Sequence, residues 1–98
     1  MKLVTIIAEP VLEPRLAHDL KQLGATGFSV VDGRGAGSRG LHATTIPGDN
    51  VRLETIVSIA VADRIVDHLA QHYFTDYAVV AYTSDIAVVR GAKYDTAP

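Results

Sequence analysis

Displaced against itself by half its length, the chain sets Arg15, Leu20, Gln22, Thr26, Val30 and Val31 on Arg64, Leu69, Gln71, Thr75, Val79 and Val80 without a gap. In the same register Leu16 falls on Ile65 and Phe28 on Tyr77, so size and polarity are kept as well. A self-similar sequence of this kind describes one supersecondary unit used twice, and each copy buries its apolar face against the other. With 98 residues the chain is expected to form one domain, residues 1–98, that buries about two-thirds of its unfolded surface.

The first copy opens on Lys2–Ala8, a β-branched run of strand length. Leu12, Leu16, Leu20 and Leu23 then recur at helical spacing, with Pro14 in the first turn and Gly24 as the stop. The segment from Thr26 to Asp32 reads as a second strand. In the second copy Val51, Leu53, Thr55, Val57, Ile59 and Val61 alternate with Arg52, Glu54 and Ser58, which predicts one long strand with a buried face. A helix over 62–74 follows, with Ile65, Leu69 and Tyr73 on one side and Asp63 as its candidate cap. The segment from Tyr77 to Arg90 reads as one long strand with a bend.

Two such units in tandem predict an α+β fold, the ferredoxin-like βαββαβ sandwich, with both helices on one sheet face. The other face is left open. A strand carrying Val57, Ile59 and Val61 on one side does not leave a wide apolar surface in water, so a homo-oligomer is expected.

Composition removes several functional classes. A formal charge of −2 gives no general attraction to a nucleic-acid polyanion. The absence of cysteine excludes disulfides and thiolate metal sites, and fits a reducing compartment. Apolar runs such as Tyr77–Tyr82 are too short to cross a bilayer, and the first ten residues lack the length and cleavage signal of a secretory leader. The expectation is a cytoplasmic protein without membrane insertion.

The copies differ in one place. After Val31 the chain continues DGRGAGSRGLHATTIPGDN, whereas after Val80 it continues AYTSDIAVV. A flexible loop over 33–50 is therefore expected in one copy only, and loops of that length in small domains are functional or disordered. Gly33, Gly35, Gly37 and Gly40 permit positive φ and close approach of backbone N–H groups to an anion, and Arg34 and Arg39 add cations. The segment reads either as a phosphate cradle or as a solvated hairpin connection. It is not a Walker A motif, because no glycine-lysine-Ser/Thr follows.

Other polar residues carry weaker signals. His68 and His72 stand at i, i+4, but without a third ligand they read as a polar helix surface rather than a metal site. His42 reads as solvated, and Asp63 and Asp67 as surface charges. Tyr73, Phe74, Tyr77 and Tyr82 read as core or subunit contacts. Ser29, Ser38 and Ser84 lie in no nucleophile-elbow setting. Arg90 and Lys93 follow the last strand, where a cation could serve an anion held by the loop or by a neighbouring subunit.

The segment GATGFSVVDGRGAG resembles the PII signalling superfamily through Gly24, Gly27, Ser29, Gly35 and Gly37, and the resemblance covers nearly the whole chain. It implies a trimer that binds adenine nucleotides between subunits, with Gly27 and Ser29 at the ribose and Gly35 and Gly37 by adenine and phosphates. The nitrogen-regulatory members have a loop tyrosine, a glutamine after glycine-x-glycine and a glycine-aspartate-glycine-lysine loop. Residues 38–52 hold no tyrosine, Ser38 and Arg39 replace the glutamine, and FTDYAVVAYTSDIAVVRGAKYD replaces the last loop. These departures count against uridylylation, 2-oxoglutarate sensing and the usual triphosphate grip. The chain is more similar to the PII-like proteins of inorganic carbon metabolism, and the lack of a C-terminal cysteine pair favours the carboxysome-linked branch.

The expected function is a trimeric, non-enzymatic sensor. Gly27, Ser29, Gly33, Arg34, Gly35, Gly37, Arg90 and Lys93 would bind ADP, ATP or AMP, with no metal. Bicarbonate would share Gly35, Ala36, Gly37, Ser38 and Arg39, and a bicarbonate transporter or carboxysome-related protein would be the partner. Two alternatives are a ferredoxin-like trimer binding divalent metal through its histidines, and a small enzyme using His42 as base.

Overall fold

The computed structural model describes residues 1–36 and 49–90. Strand β1 (Lys2–Ala8) runs through a 3-10 turn at Pro10–Leu12 into helix α1 (Glu13–Leu23). Gly24 ends α1 with φ 112°, and its N–H reaches the carbonyls of Leu20 and Lys21. That left-handed stop is the conformation for which glycine is suited. Strands β2 (Ser29–Arg34) and β3 (Asp49–Val57), helix α2 (Ile59–His72) and strand β4 (Val80–Asp85) complete the order.

The strands lie in the order β2-β3-β1-β4, all neighbours antiparallel. This is the expected ferredoxin-like βαββαβ arrangement, in which each strand-helix-strand unit is split by a strand of the other. The register makes the repeat visible in space. Thr5 pairs with Glu54, its own counterpart 49 residues on, so the copies are related by an approximate two-fold between β1 and β3.

Val4, Ile6, Ala8, Val51, Leu53 and Val57 form the sheet side of the core. Leu12, Leu16 and Leu20 cover it from the first copy, and Val61, Ala62, Ile65, Leu69 and Tyr73 from the second. Thr55 is the polar member of this face, 3% exposed, and its Oγ1 donates to the Gly27 carbonyl at 2.5 Å.

Three element boundaries differ from the sequence reading. Strand β3 stops at Val57, because the Ser58 hydroxyl accepts the Val61 N–H at 3.3 Å and caps α2. Ile59 and Val61 are thus helical, and Ser58 rather than Asp63 is the cap. Alternation at 57, 59 and 61 mimics a strand, but Val61, Ile65 and Leu69 also satisfy the helical period, and the serine decides. Strand β2 starts at Ser29 rather than Thr26 and continues to Arg34, paired with a β3 that begins at Asp49. Gly33, Arg34, Asp49 and Asn50 therefore belong to the sheet. Strand β4 covers Val80–Asp85 and not the whole of 77–90. The Ile86 N–H still donates to the Met1 carbonyl, one position beyond the ladder.

The face without helices carries Leu3, Ile7, Ile56, Val31, Val80 and Tyr82, in place of the expected Val57, Ile59 and Val61. Val80 is 58% exposed and Tyr82 47% exposed. The open face is apolar as expected, on different residues.

Candidate ligand-binding site

Alternation along β2 turns Ser29, Val31 and Gly33 to the open face, opposite Glu54, Arg52 and Asn50 of β3. Ser29, Gly35, Ala36 and Arg52 are exposed there. Arg34, one position out of phase, is also exposed and pairs across the ladder with Asp49.

The glycines divide into two kinds. Among the described residues only Gly24 has positive φ, so Gly33 and Gly35 are not needed for an unusual backbone conformation. Room is what they provide. A Cβ on Gly33 would stand 2.8 Å from Asn50 Oδ1, and one on Gly35 would stand 3.2 Å from Asn50 Nδ2. At exposed Gly27 a Cβ would meet nothing within 4 Å. Among the described residues nothing requires glycine at that position.

Arg90 is exposed and lies beyond β4, at the opposite edge of the sheet from β2. The two edges are three strand spacings apart, about 14 Å. The ends differ too: the chain leaves β4 beside Lys2, whereas Gly33 and Gly35 leave β2 beyond the level of Ala8 and Val51. The Lys2 to Ala8 span adds about 20 Å. Within one subunit the sheet sets the end of β4, from which the chain runs five residues on to Arg90, at the corner diagonal to the glycine segment. Gly37, Ser38, Arg39, His42 and Lys93 lie outside the described residues.

A second polar cluster joins the helices. Asp19 Oδ2 accepts from His68 Nε2 at 3.0 Å and from the Tyr73 hydroxyl at 2.5 Å. Arg15 stacks over the Tyr73 ring at 4.7 Å, with its Nη1 3.4 Å from the Tyr77 hydroxyl. Burial opposes ionisation of Asp19, but hydrogen bonds from Tyr73 and His68 and the charges of His68 and Arg15 outweigh it. The carboxyl is held below its ordinary range. Burial and the Asp19 contact push the Tyr73 hydroxyl in the opposite direction, upward. The His68 and His72 rings are 4.4 Å apart, yet among the described residues no three His, Asp or Glu form a group able to hold a metal ion.

Sequence reasoning missed Asn50, Arg52, Thr55 and Asp19. The repeat held a signal for the last, since Asp19 is the counterpart of His68. Arg52 was legible only as an outward member of an alternating strand, and Asn50 fell within the expected loop.

The family model described as nitrogen regulatory protein P-II matches residues 1–93. The chain belongs to the P-II family. Among solved structures, one described as a PII-like signaling protein from Thermus thermophilus has a TM-score of 0.82 at 50% identity, covering 95% of this chain and 92% of that one. CPII from Thiomonas intermedia, bound to ADP and bicarbonate, has a TM-score of 0.80 at 22% identity, with the same coverage of both chains. The apo form of CPII has a TM-score of 0.73 at 20% identity and covers 89% of each chain. At that identity CPII shares the fold. The P-II assignment agrees with the resemblance carried by Gly24 to Gly37, and the chain is a PII-like signalling protein.

Proposed function

We propose that this PII-like chain forms a homotrimer that binds an adenine nucleotide, ADP, ATP or AMP, in clefts between copies, with bicarbonate as a second effector. Gly27, Ser29, Gly33, Arg34, Gly35 and Gly37 of one copy and Arg90 and Lys93 of its neighbour form the nucleotide site. Bicarbonate uses Gly35, Ala36, Gly37, Ser38 and Arg39. The occupied state is read in the cytoplasm by a protein of inorganic carbon uptake or fixation, and no reaction is catalysed. Among the described residues no helix is long and apolar enough to cross a membrane.

The observation that carries this reading is that β4, which leads toward Arg90, ends at the corner of the sheet diagonal to the glycine segment. In this reading the cation at each glycine segment comes from a neighbour laid against the open apolar face. Gly27 supports it, being a glycine that no contact among the described residues demands. The binding of ADP, AMP and bicarbonate by CPII supports the choice of effectors.

The test is complementation between copies, followed by titration calorimetry with ADP. Arg90→Ala and Gly35→Glu homotrimers each lose ADP binding. Co-expressed, they form mixed trimers in which an intact glycine segment meets an intact Arg90 at one interface, and part of the binding returns. No recovery in mixed trimers would sink the inter-subunit cleft, and no ADP uptake by the wild type would sink the nucleotide reading. Repeating the wild-type titration in bicarbonate tests the second effector.

A further inference from the structure

Gly33 lies in β2 and Gly35 just beyond its end, and both abut the same side chain. Asn50 stands opposite Gly33 in the ladder, with its Oδ1 toward Gly33 and its Nδ2 toward Gly35. The glycines therefore do not leave bare backbone for a ligand. Their missing side chains make room for a carboxamide, which lies against both. Asn50 is half-buried, and Arg52 is the next residue of β3 on the same face.

We propose that Asn50 is a phosphate-reading residue of the nucleotide site, with its Nδ2 donating to a phosphate oxygen held at Gly35. The inference rests on the nucleotide reading above. An amide can donate without adding charge, and a donor aimed at an anion forms a stronger bond than a neutral pair. Gly35 fixes where that donor sits: any side chain at 35 displaces Nδ2. The pair Gly35 and Asn50 thus acts as one recognition element, built where the chain leaves β2 and enters β3.

The experiment compares wild type, Asn50→Ala, Asn50→Asp and Asn50→Gln by calorimetry with ADP, with thermal unfolding of each free protein alongside. Asn50→Ala removes the donor and weakens ADP binding by about tenfold, the size expected for one hydrogen bond to a charged group. Asn50→Asp keeps the shape, sets a carboxylate against the phosphate, and binds more weakly than Asn50→Ala. Asn50→Gln keeps the amide but moves it by one methylene, and also loses affinity. All three unfold near the wild-type temperature. If Asn50→Asp binds ADP as well as wild type does, Asn50 is merely a spacer and the proposal falls, even if Asn50→Ala is weakened. Should one variant fail to fold, the ranking of the remaining two against wild type decides. A wild type that binds no ADP overturns the nucleotide reading itself, an outcome distinct from a binding wild type with indifferent variants.

Discussion

Asp19 and His68 are equivalent residues of the two repeats, 49 positions apart, and they meet at 3.0 Å where the helices pack. The carboxylate they share with the Tyr73 hydroxyl is held below its ordinary range. Because its folded pKa is lowered, the unfolded chain binds more protons, and stability rises with pH across that window. The contribution is present above the unfolded value of about 3.9 and is lost as pH falls through the lower folded value. Asp19→Asn is expected to cost about 1–3 kcal/mol near neutrality. Urea denaturation from pH 7 downward should show its gap to wild type closing below about pH 4, and a constant gap would contradict the argument.

Thr55→Val removes the hydroxyl that ties β3 to the Gly27 carbonyl, while keeping the volume of a buried side chain. A loss of about 1 kcal/mol is expected in chemical denaturation.

Ser58→Ala leaves the Val61 N–H without its cap and should cost about 1 kcal/mol. Asp63→Ala should cost much less, since Asp63 does not cap α2. The reverse ranking would mean that α2 begins elsewhere.

Glycines 27 and 33 should respond differently to alanine. Gly27→Ala meets open space at ordinary φ, so thermal unfolding should show stability unchanged or raised by up to about 1 kcal/mol. Any loss of ADP affinity there reports on ligand contact. Gly33→Ala instead pushes against the end of the Asn50 side chain, which rotates away. Its stability should fall by no more than about 1.5 kcal/mol, while ADP affinity drops with the displaced carboxamide. An Asn50→Ala background should abolish the additional loss.

Tyr82→Asp places a charge on the open face beside Val80, and under the proposed assembly it dissociates the trimer. Light scattering after size exclusion should then give the 10.5 kDa chain, against three times that mass for wild type.

The repeat and the two local periods were enough to define this fold from the sequence. Helical spacing of leucines, a serine or glycine at a helix end, and β-branched runs are properties of neighbouring residues, and they act before any distant contact forms. The Gly24 to Gly37 segment likewise carried the family. What the sequence did not reveal is where strands stop and which side chains meet. Strand β4 stops at Asp85, opposite Lys2 at the start of β1, and Asn50 lies on Gly33 because β2 and β3 pair in one register. The end of β4 is set diagonal to the glycine segment because β3 and β1 separate the two edge strands. Each of these depends on partners far along the chain, and a single Asn or Thr on a strand has no periodic signature to announce its partner. Local chemistry chose the elements, and the sheet register assembled the site.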